Sequence, residues 1–282
     1  MTLNQPITNA IITAAGKGER MRPLTDNNCK PMVMIDTQPI IGHVLDKLVA
    51  SGINNVVVNT HYKPESLLAF LQQYEDKHPG LKISTLHEDV LLDTGGGIKN
   101  CMTLMPADQP IIVVSGDSYW EDADWGPALE LMQQRFDPAK MDMMLLLMSI
   151  WEMHPTGALG DYNIDDEGKI TRANDKKGEY AWTSVRIIKN KSLFDNTPDG
   201  PFSFLTMLDK AQESGRLHGL LHGGQWHHFT TPADVAAVNN MLAVRREHEA
   251  KVQALLAQKK TVTPDAAPED AHAPKRTPAA KP

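Results

Sequence analysis

The chain has 282 residues, 41% of them hydrophobic and 22% charged, and its formal net charge is −7. This length and composition predict a globular protein with a sizeable core, in one large domain or two modest ones. The acidic balance argues against the basic surface of a typical nucleic-acid-binding protein, so we expect no nucleic-acid partner.

The first half of the chain alternates apolar runs typical of strands with helical patterns. Strands are predicted at 7–14, 56–59, 81–86 and 111–115, and helices are predicted to begin at Pro39 and Pro64. Strands separated by helices indicate βαβ units, and hence an α/β fold with a mostly parallel sheet flanked by helices. Ligands bind at the carboxyl ends of the strands in such a sheet. We therefore expect the loop after the first strand and Asp117, after the fourth, to meet at one edge.

The second half of the chain is less regular than the first. The apolar run 143–150 predicts a buried strand, while 162–164 and 170–173 flank a turn-rich segment that is typical of a hairpin. One helix is predicted over 201–213, and another is predicted to begin after Thr231. The predicted sheet is therefore mixed rather than wholly parallel.

Several features bear on where the protein is found. The first nine residues lack a basic segment followed by an apolar core, so we expect no secretory signal. The longest apolar run is much shorter than the roughly 20 residues that span a bilayer, so we expect no membrane partner. The two cysteines, Cys29 and Cys101, are expected to be free thiols in a reducing cytoplasm.

A glycine-rich loop follows the first predicted strand. Gly16 and Gly18 allow the backbone to approach a nucleotide, and N–H groups of such a turn can hold phosphates. Lys17 adds positive charge to this loop. The dinucleotide-binding fingerprint requires a third glycine where Met21 stands, and a P-loop requires Ser or Thr directly after Lys17. Neither of these two motifs therefore accounts for the loop.

The whole segment is more specific than its glycines. It reads Ala-Ala-Gly-Lys-Gly-Glu-Arg-Met-Arg-Pro-Leu-Thr at 14–25, with Lys-Pro at 30–31. This pattern resembles the opening motif of the nucleotide-diphospho-sugar transferase family, and Asp-Thr-Gly-Gly-Gly-Ile at 93–98 and Ser-Gly-Asp at 115–117 support the resemblance. The resemblance is strong over 7–125 and traceable to residue 245.

The resemblance implies a Rossmann-like, mostly parallel mixed sheet in one domain. Residues 1–258 would form this domain, with the nucleotide-binding half at about 7–125 and the sugar-phosphate-binding half, with a C-terminal helix, at about 126–258. Residues 259–282 are rich in Pro and Ala and cannot bury enough apolar surface to offset the entropy of ordering them. We expect them to form a disordered tail.

The resemblance also implies a reaction. The protein would transfer a nucleoside monophosphate from an NTP to a sugar 1-phosphate with Mg²⁺, or Mn²⁺ as an alternative, and release pyrophosphate. Within the family, UTP and N-acetylmuramate 1-phosphate are favoured, which indicates a role in cell-wall recycling. Guanylyl transfer to mannose or heptose 1-phosphate is an alternative, as is a catalytically weak module that binds nucleotides or NDP-sugars. A monomer and a homodimer both stay open.

Residue roles follow from the same resemblance. Arg20 would hold the β- and γ-phosphates, Lys30 would bridge the phosphates of both substrates, and Asp117 would ligate Mg²⁺. The residues implied in nucleotide binding surround the loop and the later glycine segment: Ala14, Ala15, Gly16, Lys17, Gly18, Arg20, Thr94, Gly95 and Gly96. The residues implied in binding the sugar phosphate are Lys30, Gly160, Asp161 and Thr183.

One segment departs from the family pattern. The family usually supplies a second metal-binding carboxylate late in the chain, but His228 occupies that position here and Thr230 replaces a glycine. His228 could bind the metal or a metal-bound water, contact a substrate phosphate, or have no catalytic role. Adjacent strand residues point to opposite faces, so His227 and His228 should not both reach the site. Asp122 and Asp124 are expected at the start of a helix rather than in a metal site.

Overall fold

The computed structural model describes residues 6–153, 160–227 and 229–261. The chain divides into two compact units, Met1–Asn239 and Asn240–Pro282. The second unit contributes the later part of the last helix, and everything else described below belongs to the first. None of the helices in the described ranges combines the length and apolar character needed to cross a membrane.

In the first half of the chain, the predicted strands and helices occur in the predicted order. The strands are β1 (Asn9–Thr13), β2 (Met34–Ile35), β3 (Gln38–Pro39), β4 (Asn55–Thr60), β5 (Lys82–His87), β6 (Ile111–Ser115), β7 (Tyr119–Glu121), β8 (Met143–Ser149), β9 (Tyr162–Ile164), β10 (Ile170–Arg172), β11 (Tyr180–Ile188), β12 (Leu217–Leu221) and β13 (Gln225–His227). The helices are α1 (Ile40–Ala50), α2 (Glu65–Lys77), α3 (Asp93–Cys101), α4 (Ala128–Arg135), α5 (Leu205–Glu213) and α6 (Pro232–Thr261).

A mixed central sheet organises the first unit. Within the described residues its strand order is β10-β9-β11-β6-β1-β4-β5, and β8 pairs with both β11 and β12. The strands β6, β1, β4 and β5 are parallel to one another, whereas β11 runs antiparallel to β6. Two short antiparallel ribbons, β2–β3 and β7–β13, lie outside this sheet. The prediction of a mixed, Rossmann-like sheet flanked by helices is confirmed.

Both faces of the sheet are buried under helices. Neighbouring residues of β1 belong to opposite hydrophobic clusters: Ile12 packs in the cluster that includes residues of α1, α2 and α4, and Ile11 in the cluster that includes residues of α3 and α5. Strands buried on both faces need apolar residues at every position, which explains the continuous Ile and Val runs. The helices leave the strand ends uncovered, and ligand sites form there in such sheets.

Most predicted elements are confirmed. The four strands of the first half correspond to β1, β4, β5 and β6, and the hairpin is β9–β10. The helix predicted over 201–213 begins later, at Leu205. α6 begins at Pro232, as predicted, and continues to Thr261. The predicted tail began at 259, which is wrong for 259–261 because these residues continue α6. Residues 262–282 lie outside the described residues, so their disorder stays a prediction.

The strands β2, β3, β7 and β12 were not predicted, and neither were the strand β11 and the helix α3. β11 was missed because Thr183, Ser184 and Arg186 interrupt its apolar pattern, and its pairing with β8 shifts register between Trp182 and Arg186. Ser184 has a φ of 65°, which fits this irregularity. The helix α3 was missed because three consecutive glycines disfavour a helix.

Close packing explains the glycines of α3. A Cβ atom on Gly96 would lie 2.4 Å from the carbonyl oxygen of Gly200, and one on Gly95 would lie 2.6 Å from that of Phe202. The Phe202 carbonyl also accepts hydrogen bonds from the amides of Gly95, at 2.9 Å, and Gly96, at 3.3 Å. Contacts with segment 200–202 thus hold α3 in place despite its low helix propensity.

We expect Gly96→Ala to lower the free energy of unfolding by about 2 kcal/mol, because the new methyl group would overlap a backbone oxygen that cannot rotate away. The higher helix propensity of alanine offsets only part of this cost. Urea unfolding measures the change. Asn100→Ala, in the same helix, is the matched control and should cost less than about 0.5 kcal/mol. Equal stabilities of the two variants would contradict the close packing.

Candidate active site

A cavity of about 750 Å³ opens where β1, β4 and β6 end. Its volume lies in the range of small-molecule and cofactor sites. The lining residues come from the loop after β1, the turn after it, the connection between β5 and α3, and the end of β6: Thr13, Ala14, Ala15, Gly16, Lys17, Gly18, Glu19, Arg20, Met21, Lys30, Pro31, Asn59, Glu88, Leu91, Asp93, Thr94, Ser115, Asp117 and Thr230.

The register of three paired strands positions the residues that line this cavity. Thr13, the last residue of β1, pairs with Ser115 of β6 on one side and with Asn59 of β4 on the other. The carboxyl ends of the three strands therefore lie at the same level of the sheet. The glycine-rich loop and Asp117 follow directly from two of them, which confirms that they meet at one edge.

The glycine-rich loop has a defined shape. Gly18 adopts a φ of 62°, and a Cβ atom there would lie 3.1 Å from side-chain carbons of both Lys30 and Thr25. The Thr25 hydroxyl donates a hydrogen bond of 2.8 Å to the carbonyl oxygen of Gly18. A 3₁₀ turn follows, in which Arg20 is exposed and the side chain of Met21 is buried in the core. Met21 therefore anchors the loop at the position where a dinucleotide fingerprint would have glycine.

A cation and a carboxylate lie side by side in the cavity. The Lys30 ammonium contacts one oxygen of Asp117, and the Ser115 hydroxyl donates a hydrogen bond to the other. The side chains of Lys30 and Asp117 are 17% and 29% exposed, so solvent screens their charges only in part. Ser115 and Lys30 thus orient the carboxylate that the resemblance assigns to metal binding.

A buried polar network forms the opposite wall. The Asn59 side chain accepts a hydrogen bond of 2.7 Å from the Ala14 amide and donates one of 2.6 Å to Glu88. The second oxygen of Glu88 accepts from the Leu92 amide at 3.0 Å. Sequence analysis missed both Asn59 and Glu88. The available signal was a polar residue at or just beyond the end of a predicted strand.

Asp93 gives this wall a second carboxylate. It has a φ of 56°, a backbone conformation that Asp and Asn tolerate better than most residues. Its carboxylate accepts from the Thr94 amide at 2.5 Å. Carboxylates of Glu88 and Asp93 therefore line the end near β5 and α3, whereas the ammonium of Lys30 lies near β6. Anionic phosphates are favoured at the Lys30 end.

The structure brings most of the predicted nucleotide-binding residues to the cavity. They are Ala14, Ala15, Gly16, Lys17, Gly18, Arg20 and Thr94, together with Lys30 and Asp117. Gly95 and Gly96 lie outside its lining, where their amides bond to Phe202. Their predicted contact with the nucleotide therefore competes with a contact inside the protein.

Lys30 lines the cavity, but the other predicted sugar-phosphate residues lie nearer β9 and β11. Asp161 forms an ion pair of 2.6 Å with Lys176 and accepts a hydrogen bond of 3.3 Å from the Trp182 amide. The Thr183 hydroxyl is buried and donates to the Leu146 carbonyl at 2.7 Å. Gly160 must be glycine because a Cβ atom would lie 1.6 Å from the Gly178 oxygen. None of these contacts reaches the cavity described above.

His228 is the late candidate for metal binding that the resemblance indicates. His228 lies outside the described residues, whereas its neighbour Thr230 lines the cavity. In the described part of the chain, no group of three or more His, Cys, Asp or Glu side chains could hold a metal. Burial lowers the pKa of both His218 and His222, which favours their neutral forms.

Asp122 has the structural role that the sequence predicts. It accepts a hydrogen bond of 2.9 Å from the Ala128 amide at the start of α4 and pairs with Lys47 at 2.5 Å. Burial raises the pKa of the Asp122 carboxyl, but the Ala128 amide and Lys47 outweigh burial and hold it below its usual value. Cys29 and Cys101 are buried free thiols, as expected, and burial raises their pKa values to about 11 and about 12.

Comparison with known proteins identifies the family to which this chain is similar. The profile of a family described as nucleotidyl transferase matches residues 9–218. N-acetylmuramate alpha-1-phosphate uridylyltransferase of Caulobacter vibrioides is 35% identical over 238 residues, which cover 83% of this chain and 96% of that protein. Mannose-1-phosphate guanylyltransferase of Mycobacterium tuberculosis is 26% identical over 80% of this chain and 62% of its own length.

Solved structures share the fold. The HddC protein of Yersinia pseudotuberculosis, complexed with GMP-PN, has a TM-score of 0.66 at 21% identity and covers 84% of this chain and all of its own. A UTP-bound UGPase from Acinetobacter baumannii has a TM-score of 0.69 at 14% identity over 88% of this chain and 99% of its own. At these identities the likeness supports the architecture alone.

We expect Asn59→Asp to lower the free energy of unfolding by about 3 kcal/mol at neutral pH. The new carboxylate would lie beside the buried carboxylate of Glu88, and the two negative charges would repel each other. Repulsion and burial would raise their pKa in the folded state above the unfolded value. The folded state then binds more protons, so the loss should shrink as the pH falls through the raised pKa.

Urea unfolding at pH 8 and pH 5 measures this difference. Asn163→Asp is the matched control, because Asn163 is exposed and its side-chain oxygen also accepts a backbone amide, that of Glu179. The control should show little loss at either pH. A pH-independent loss in Asn59→Asp would contradict the proposed repulsion.

Proposed function

The chain belongs to the nucleotidyl transferase family, and we propose that it transfers a nucleoside monophosphate from an NTP to a sugar 1-phosphate. Membership rests on the family match over residues 9–218 and on the 35% identical relative. UTP and N-acetylmuramate 1-phosphate are the favoured substrates because that relative is named for them. GTP with mannose 1-phosphate is the alternative, after the guanylyltransferase. A reaction that consumes an NTP favours a cytoplasmic location.

The contact between Lys30 and Asp117 is the observation that carries this proposal. The reaction brings together two polyanions, so it needs fixed positive charge and a metal-ligating carboxylate at the same point. Lys30 supplies the charge and Asp117 the carboxylate, and both line the cavity formed by the glycine-rich loop.

The chemistry needs no protein nucleophile. An oxygen of the sugar 1-phosphate, already anionic, attacks the α-phosphorus of the NTP in line with the leaving group. A new P–O bond forms, the bond from the α-phosphorus to the bridging oxygen breaks, and pyrophosphate leaves. Lys30 would lower the repulsion between the two phosphates, and Arg20 would stabilise charge on the pyrophosphate. Such preorganised charges are usually the largest catalytic contribution.

The residues present fit a magnesium ion shared with the substrate. Mg²⁺ is typically held by one or two carboxylates with substrate phosphates and waters, and does not need a complete protein cage. Asp117 offers one carboxylate, oriented by Ser115, at the end of the cavity where phosphates are favoured. The ion would neutralise phosphate charge there, and Mn²⁺ accepts the same oxygen ligands.

Sheet order supports one direction for the nucleotide. From β6 to β5 there are three strand spacings, about 14 Å, which is comparable with the length of a nucleotide. With phosphates beside Asp117 on the β6 side, the base would reach Glu88 and Asp93. Carboxylates accept hydrogen bonds, so this end favours bases with ring N–H donors, such as uracil and guanine. The acceptor sugar would then lie on the β11 side of Asp117.

We expect Lys30→Ala to lower the turnover number by about 100-fold or more, because it removes the cation beside the reacting phosphates. Pyrophosphate release under saturating substrates measures this effect. Lys169→Ala is the matched control, since Lys169 lies exposed in the β9–β10 hairpin, and it should retain normal turnover. Near-normal activity of Lys30→Ala would refute the role assigned to Lys30.

The reaction itself is tested by pyrophosphate release from the full chain with each of four NTPs and a panel of sugar 1-phosphates. We expect release with one preferred pair, its loss on chelation of divalent metal and its recovery with added Mg²⁺. Release that persists in excess chelator would overturn the metal requirement. No release from any pair would overturn the proposed transfer.

A further inference from the structure

Arg186 is a buried arginine that forms no ion pair with a carboxylate among the described residues. Only 2% of this β11 residue is exposed. Its Nη1 donates a hydrogen bond of 3.2 Å to the Ser184 carbonyl, whereas Nε and Nη2 have no hydrogen-bond partner among the described residues. The hydroxyl of Tyr162 is also buried without a hydrogen-bond partner in the described part of the chain. Buried polar groups are normally satisfied, so two neighbouring exceptions require an explanation.

Aromatic rings hold the guanidinium in place. Its central carbon lies 4.3 Å from the ring centre of Phe204 and 5.0 Å from that of Trp182. Burial lowers the pKa of Arg186 to about 9, although its interaction with Tyr162 opposes this shift. The side chain therefore keeps its charge at neutral pH. Aromatic faces attract a cation but do not replace the hydrogen bonds it loses on burial.

An apolar side chain would fill this site at lower cost. Two other arginines of the same half are paired with carboxylates: Arg172 with Asp209 at 2.9 Å, and Arg216 with Asp142 at 2.7 Å. Burying a guanidinium without such a partner costs stability, and replacing buried charges by apolar groups is often neutral or stabilising. The arrangement is therefore better explained by a ligand than by a need of the fold.

Arg186 lies on the strand that flanks β6 on the side where the acceptor sugar is proposed to bind. Arg186 pairs with Val113 of β6, and β11 runs antiparallel to that strand. The Ser184 carbonyl, which accepts a hydrogen bond from Arg186, lies two residues before Arg186 in β11. Because β11 runs antiparallel to β6, this is the direction in which β6 ends, and Asp117 follows that end by two residues. Asp161, a predicted sugar-phosphate residue, is the neighbour of Tyr162 and bonds to Trp182 at the same edge.

The two unpartnered nitrogens define the ligand. Nε and Nη2 lie on one edge of the guanidinium, and their parallel N–H groups match the two oxygens of a carboxylate. We propose that Arg186, with the Tyr162 hydroxyl, binds a carboxylate carried by the acceptor sugar. Acidic sugar 1-phosphates are then the substrate class. The guanidinium is covered by the rings of Trp182 and Phe204, and Trp182 is the less buried of the two. In this proposal the carboxylate reaches Arg186 when the indole of Trp182 moves aside.

This inference rests on the proposed transfer, and a matched pair of acceptors tests it. N-acetylglucosamine 1-phosphate lacks the lactyl ether that gives N-acetylmuramate 1-phosphate its carboxylate. We expect the full chain to use the acidic acceptor with a kcat/KM about 50-fold higher or more, because hydrogen bonds to a charged group discriminate strongly against an acceptor that lacks it. Arg186→Met should abolish that ratio, mainly through a higher KM for the acidic acceptor, while the Kd of the NTP stays unchanged.

Stability separates a binding role from a structural one. Arg186→Met should unfold at the same temperature as the unmodified chain or higher, because it removes an unbalanced buried charge. Arg172→Met is the control: it breaks the pair with Asp209, so it should unfold at a lower temperature but keep the preference for the acidic acceptor. Equal losses with both acceptors, or a lower melting temperature in Arg186→Met, would overturn the proposal.

Direct binding distinguishes a failure of this inference from a failure of the proposed transfer. Calorimetry with free N-acetylmuramate and N-acetylglucosamine requires no turnover. Tighter binding of the acid by the full chain, lost in Arg186→Met, would support the carboxylate site even if no pyrophosphate were released. Equal binding of the two sugars by the full chain would overturn it even if the transfer were established.

Discussion

The register of three parallel strands is the constraint on which the rest of the site depends. Thr13 ends β1 level with Asn59 of β4 and Ser115 of β6, so the segments that follow these strands converge at one edge. Convergence places the glycine-rich loop between a polar wall and the pair formed by Lys30 and Asp117. A one-residue slip in either pairing would turn the side chains to opposite faces and separate these groups.

The two halves that we propose bind the nucleotide and the acceptor are linked by packing as well as by chain connection. The first turn of α3, whose Thr94 lines the cavity, is held by two hydrogen bonds to Phe202. Two residues later, Phe204 stacks against Trp182 and lies over Arg186 in β11. A structural change in either half would therefore be transmitted to the segment 202–204, since close-packed interiors transmit strain.

The two buried charged groups near the site differ in how they are satisfied. Glu88 is 3% exposed, yet Asn59 and the Leu92 amide each donate a hydrogen bond to it. Arg186 is equally buried but offers an edge with no protein acceptor in the described residues. A satisfied network stabilises a wall, whereas an unsatisfied edge costs stability that ligand binding can recover. Glu88 is therefore part of the cavity wall, whereas Arg186 is the group that we propose binds a ligand.

Local sequence patterns alone determined the central strands, the hairpin of β9 and β10, and the segment 14–25 that identifies the family, because each signal lies within a few neighbouring residues. Tertiary structure alone decided the rest. Asn59 and Glu88 become a wall because strands distant in sequence pair in register, and α3 forms despite three glycines because segment 200–202 packs against it. In the sequence, Arg186 is one of the polar residues that interrupt the apolar pattern of β11, and nothing in the local pattern shows that it is buried. Its guanidinium becomes buried only when the folded chain brings the rings of Trp182 and Phe204 against it, since long-range contacts set the environment of a charge.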